Sequence, residues 1–176
     1  MLISHPVPTE APDYYFRYIS QVPSGVDIRR VLETQLDETL ELLNSIPEDK
    51  SRNRYAPGKW SIREVMGHVN DCERLFVFRA MWFARGFESP LPSFDQDAAM
   101  AAARFDEIPL ADHAAEFRAL RESTVRFFNG LPDDAWMKRG TASESSFTVR
   151  ALAYIAAGHV EHHSRIVRER YLGVRD

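Results

Sequence analysis

The sequence has almost no cysteine: Cys72 is the single one among 176 residues. A lone cysteine makes no internal disulfide and leaves no thiolate pair for a zinc knuckle, so a metal held by this chain needs nitrogen and oxygen ligands. Surplus positive charge is missing too. Lys and Arg number 22 against 26 Asp and Glu, a net charge of −4. That is the wrong sign for gripping a polyanion, and no nucleic acid is expected as a partner. No apolar run approaches the ~18–20 residues of a membrane span. The opening MLISHPVPTE carries neither a basic leader nor an apolar stretch behind it. The expectation is a cytoplasmic protein with no membrane partner. No segment shows convincing strand alternation, and no repeat of solenoid period occurs.

What is present suits one globular domain over 1–176, with 44% hydrophobic and 27% charged residues. Residues 1–26 set Pro6, Pro8, Pro12 and Pro23 around Tyr14, Tyr15, Phe16 and Tyr18. They read as an extended strap across an apolar surface. Residues 27–172 read as four helices. The first spans Asp27 to Ile46, with Ile28, Val31, Leu32, Leu36, Leu40, Leu43 and Ile46 three and four apart, and stops at Pro47. The second runs from Ile62 to about Arg85, with Ser61 and Glu64 as a capping box and Gly86 as its end. The third begins at Asp112 and halts at Gly130-Leu-Pro132, and the fourth runs from Thr148 to Leu172. Between the second and third lies a long connection containing Phe94-Asp-Gln-Asp97 and the run Ala98 to Ala103, with room for one helical turn capped by Asp97. The fold class is all-α: a four-helix bundle with a long crossover between helices two and three.

The second and fourth helices open alike, Trp60-Ser-Ile-Arg63 and Phe147-Thr-Val-Arg150. Counted from the caps, His68 lies seven positions on, and His159 and His163 lie eleven and fifteen on. These offsets differ by fours, close to one turn, so the three imidazoles share a phase on core-facing stripes. If the two helices are antiparallel, His68 and His163 sit roughly 10 and 13 Å from the paired ends and meet at similar depth. Three neutral imidazoles at a point can bind Zn, Ni, Fe or Cu with a position left open. A lone inward histidine is more often a core residue satisfied by a neighbour, and an i, i+4 pair also occurs on solvated faces. His162 points about 100° from His163 and reads as a flanking or surface residue. His5 and His113 have no partner at ligand spacing and read as solvated.

Gly58-Lys-Trp-Ser-Ile-Arg-Glu-Val-Met-Gly-His68-Val-Asn-Asp-Cys-Glu73-Arg74, Arg79, Ala84-Arg-Gly86, Leu91-Pro-Ser-Phe94-Asp-Gln-Asp97 and Gly158-His-Val-Glu-His-His163 together resemble the DinB/YfiT-like superfamily, in its DinB_2-type branch. The match runs over nearly the whole chain, including the aromatic strap and Arg168 to Leu172. The resemblance implies up-down-down-up topology, frequent dimerisation, and a divalent metal on His68, His159 and His163. It also implies kinship with transferases and isomerases that use low-molecular-weight thiols such as bacillithiol or mycothiol.

A metal on three histidines can lower the pKa of a water for hydrolysis or hold a cofactor thiol as thiolate. The function expected is that of a metal-dependent, thiol-using transferase or a hydrolase acting on a small molecule. The alternative is a non-catalytic metal-binding or stress-response bundle acting as a dimeric interaction module. Cys72, one turn past His68, is a candidate pocket residue and otherwise core filling. Asp71, Glu73, Asp95, Asp97 and His162 are candidates to orient the ligands, and the crossover motif is a candidate lid. Glu73, Arg74 and Arg79 read as an ion-pair network, with Arg79 alternatively meeting an anionic substrate. Trp60, Trp82 and Trp136 read as packing residues.

Overall fold

In the computed structural model, residues 2–174 are described, so Met1 of the expected strap and the last two residues of the chain lie outside them. The long helices are α2 (Ile28–Asn44), α3 (Ile62–Ala84), α5 (Leu110–Asn129) and α6 (Val149–Ile166), with short helices α1 (Asp13–Ile19) and α4 (Gln96–Ala102) before α2 and after α3. Each start has a chemical cause. The Asp27 side chain accepts from Arg29 N–H, Thr148 accepts from Ala151 N–H, and Ser61 and Glu64 form the reciprocal box read from the sequence. α3 ends at Gly86, whose φ of +81° favours glycine, as expected. α5 starts two residues before Asp112, behind Pro109, which presets φ.

Three expectations are corrected. The strap is not extended throughout, because residues 13–19 coil into α1, and Tyr14, Tyr15, Phe16 and Tyr18 all lie on it. Proline before the first turn starts a helix rather than breaking one. The chain is mostly helical rather than all-α. Strands β1 (Arg139–Ala142) and β2 (Ser145–Thr148) pair antiparallel, with Arg139 opposite Thr148 and Ala142 opposite Ser145. Their turn, Ser143-Glu144, holds φ of +50° and +60° without the Asn-Gly or Gly that announces such turns, which hid the hairpin. α4 is capped by Asp95, which accepts from the N–H groups of Asp97 and Ala98, rather than by Asp97.

α6 packs against α1, α2 and α3, and α5 packs against α2 and α3. Residues 151–160 of α6 are buried without a break, so the expected stripe is an apolar cylinder, the mark of a helix enclosed on all sides. Its small residues, Ala151, Ala153, Ala156, Ala157 and Gly158, admit close neighbours. Tyr18 lies so near that a Cβ on Gly158 would sit 2.1 Å from its carbonyl oxygen. Beyond Ile166 the helix widens into a π-helical turn, Val167–Tyr171.

A polar pin crosses this core. Arg121 of α5 donates from Nε and Nη2 to both oxygens of Glu73 of α3, at 2.8 and 3.0 Å. Its Nη1 donates to Gln35 Oε1 of α2 at 2.7 Å, and Gln35 Nε2 donates to Ala157 O of α6 at 3.0 Å. Glu73 does tie α3 to its neighbours, as expected, but through Arg121. Arg74 pairs instead with Asp71 and Glu116 at the surface.

Candidate metal centre

Ser61 and Thr148 start α3 and α6 so that the faces bearing His68 and the His159/His163 pair meet where these helices pack. The rings form a triangle: centroids are 4.9 Å apart for His68 and His159, 5.0 Å for His68 and His163, and 4.5 Å for His159 and His163. His68 and His159 are each 4% exposed, so they have left bulk water. Their Nε2 atoms stand 3.1 Å apart. Two imidazole nitrogens ~2.0–2.1 Å from one tetrahedral ion lie roughly 3.4 Å from each other. The pair therefore needs little movement to share a cation.

Burial holds the three rings neutral. It depresses the His68 pKa to about 4, and it pushes His159 and His163 well below the usual imidazole value, with their neighbouring rings adding to the effect. Neutral rings offer the lone pairs that a divalent ion needs. Among the described residues no carboxylate hydrogen-bonds to any of them, so no acid stabilises a protonated ring.

The same shifts set a pH dependence for metal-free protein. The folded-state pKa values lie below the unfolded value near 6.5. The contribution is therefore fully present above pH ~6.5 and lost as pH falls towards 4, because only the unfolded chain takes up the protons. For His68 alone this amounts to about 3 kcal/mol by pH 4. Denaturant melts in chelator at pH 7.5 and pH 5 check it, and His68→Gln is expected to shrink the difference, leaving the share of His159 and His163. Equal stability at the two pH values would show that the rings titrate normally.

Two cavities flank the triangle. His68 and His159 line one of about 270 Å³ together with Tyr15, Cys72 and Arg79. His163 lines another of about 260 Å³ with Trp60 and Tyr171. Cys72 joins the cluster, its Sγ 3.7 Å from His68 Nε2, and its sulfur and the nitrogens of His68 and His159 all lie within 4.8 Å of one another. Burial raises its pKa to about 12, so it stands there as a thiol.

The remaining candidates separate. Asp71 is half-buried and contacts Arg74 at 3.4 Å rather than a histidine. Asp95 and Asp97 are exposed; the crossover residues that reach the first cavity are Phe94 and Gln96. His162 is half-buried beside Tyr18 and Gln21, on the flank of His163. His113 is fully buried, with Nε2 3.0 Å from Phe105 O, and His5 is half-buried against Tyr154, so neither is solvated as expected. Both fill gaps between elements, which ligand spacing does not reveal. Trp136 is buried as expected, Trp82 stacks on Phe87, and Trp60 covers His68 at 4.9 Å. The wall that the sequence left unassigned is Tyr18, whose ring stands 5.2 Å from His159, and Ser143 at the hairpin tip. Neither carries a sequence signal without the hairpin and α1 in view.

A helical bundle that gathers three neutral histidines between two of its helices, two of them buried, beside a cavity, has the architecture of a metal-binding bundle. The chain belongs to the DinB superfamily, whose model matches residues 31–167. It is 31% identical over 84 residues to a protein of Oceanobacillus iheyensis named "Putative metal-dependent hydrolase". That match covers 44% of this chain and 48% of the relative, so the chain aligns with about half of the relative's length. Among solved structures it is similar to YfiT from Bacillus subtilis, described as "a probable metal-dependent hydrolase with an unusual four-helix bundle topology". The TM-score is 0.74 at 15% identity, over 97% of this chain and 94% of YfiT. A mycothiol-dependent maleylpyruvate isomerase superposes with a TM-score of 0.67 at 10% identity, over 84% of this chain and 61% of the isomerase. At these identities the structural likenesses establish a common fold.

Proposed function

We propose that this protein is a metal-dependent enzyme acting on a small molecule, either a hydrolase or a transferase that uses a low-molecular-weight thiol. In this reading His68, His159 and His163 hold a divalent Ni, Zn or Fe. The observation that carries it is the meeting of His68 of α3 and His159 of α6, their Nε2 atoms 3.1 Å apart, with the His163 ring packed on both, beside an open cavity. When bound, such an ion supplies Lewis acidity and lowers the pKa of a coordinated water or thiol. The chain's own residues do the rest. Burial keeps the ligand rings deprotonated, and the Tyr18 and Trp60 rings pack on His159 and His68. With Cys72 buried against His68 and no second cysteine in the chain, the reading takes its nucleophilic sulfur from an external molecule.

The reading includes an up-down-down-up helix order with residues 87–109 as the crossover, a homodimer, and a cytoplasmic location without nucleic-acid or membrane partners. Its test is elemental analysis of protein purified without an affinity tag. Wild type is expected to carry stoichiometric metal, and His159→Ala is expected to lose it. Wild type without metal, and with no gain in melting temperature on adding Ni or Zn, overturns the reading. With metal present, ester substrates in water and electrophiles with several thiols separate hydrolase from transferase, and no turnover in either assay returns the non-catalytic module.

A further inference from the structure

Among the described residues the bundle buries three arginines, Arg63, Arg79 and Arg121. Arg63 pairs with Glu48 and Arg121 with Glu73. Arg79 is 1% exposed, and among the described residues no carboxylate lies within ion-pair distance of it. A guanidinium has five N–H donors. Nη2 of Arg79 reaches Pro92 O at 3.1 Å and Ser143 Oγ at 3.0 Å, the Tyr15 hydroxyl stands beside the guanidinium, and Nε has no acceptor among the described residues. A buried charge left in this state is strongly unfavourable unless a partner of opposite sign arrives.

The surroundings say where that partner sits. Arg79 is on α3, three turns past His68 and two past Cys72, and all three line the 270 Å³ cavity. It is the one charged side chain among the described residues lining that cavity, whose other walls include the rings of Tyr15, Phe76 and Phe94. Two separate segments hold its Nη2. Leu91 N–H donates to Thr141 O, and Ser143 N–H donates to Leu91 O, which locks Pro92 and the hairpin tip together on the guanidinium. Ser143 keeps a positive φ to do so. The fork is thus aimed rather than free to swing, and a planar fork matches a carboxylate.

We propose that Arg79 anchors the carboxylate of a singly charged small substrate whose apolar or aromatic body lies against the tyrosine and phenylalanine rings. This rests on the reading of the histidine-lined cavity as the substrate pocket. Three turns along α3 from His68, the guanidinium offers one fork and one charge at its end of the cavity, which one carboxylate matches. Arg79 then sets which end of the substrate lies away from the histidines.

Benzoate and its neutral isostere benzamide serve as probes, titrated by NMR into the full chain with and without chelator. Wild type is expected to prefer benzoate, to lose at least tenfold of that affinity in Arg79→Gln while benzamide is unchanged, and to keep benzoate binding in chelator. Arg79→Lys, which retains charge but not the fork, is expected to fall between. Equal benzoate binding by wild type and Arg79→Gln overturns the proposal, as does no benzoate binding by wild type. So does a parallel loss of both probes, the result of a purely structural role. If Arg79→Gln does not fold, the comparison is made on Arg79→Lys with the same outcomes. Benzoate binding that disappears in chelator and ignores Arg79 places the anion on the metal, which sinks the proposal and leaves the metal reading standing. Arg79-dependent binding by protein that never takes up metal does the reverse.

Discussion

Glu73→Ala is expected to be among the most damaging single substitutions in the chain, at about 3–5 kcal/mol. Glu73 and Arg121 are 1% and 0% exposed and joined by two hydrogen bonds, so removing the carboxylate strands a guanidinium in the core. The loss spreads beyond the pair. Arg121 also positions Gln35, which holds the carbonyl of Ala157 just before the Gly158-His159 step of α6. In a domain of this size such a loss lowers the melting temperature by roughly 10 °C. Replacing both partners, Glu73→Leu with Arg121→Met, is expected to recover most of the stability, since an apolar pair removes the stranded charge. Thermal melts of wild type and the two variants check this. A single variant within 1 kcal/mol of wild type would mean that water reaches Arg121.

Gly158→Ala should destabilise by about 1–3 kcal/mol despite a helix-propensity gain of about 1 kcal/mol. The added Cβ would stand 2.1 Å from Tyr18 O and 2.5 Å from Tyr18 C. These are backbone atoms with no rotamer to retreat into, so α1 must lift from α6. Tyr18 goes with it, and its ring is the face that packs on His159 and His162. Metal affinity is therefore expected to fall along with stability, although no ligand has been changed. Melting temperature and metal content of Gly158→Ala read the two effects separately. A variant more stable than wild type would show that α1 is not seated on α6.

The long helices were legible because each announces itself locally. Ser61 with Glu64, Thr148, Gly86 and Pro47 act on their own neighbours in the chain, and a stripe spaced by threes and fours needs no knowledge of its partner. The hairpin was illegible for the converse reason. Four-residue strands are too short to show alternation, and Ser143-Glu144 adopts the positive φ of a two-residue hairpin turn without the glycine or asparagine that signals one, while Leu91 and Arg79 hold the tip from another segment. The strap misled because prolines start helices as readily as they end them. His113 shows the same limit in a single residue: its sequence neighbours are polar or small, and Phe105, eight positions away, is what encloses it.

From sequence alone came the long helices, the lack of a second cysteine to pair with Cys72, and one phase for His68, His159 and His163. All of these follow from periodicity and capping within a few residues. The tertiary structure alone decided which cation has a partner and which has none. Glu73, Arg74 and Arg79 lie within seven positions on one helix, yet Glu73 is claimed by Arg121, Arg74 by surface acids, and Arg79 by no acid at all. Pairing depends on what other helices bring to the same depth, and that distance exists only after the chain has packed.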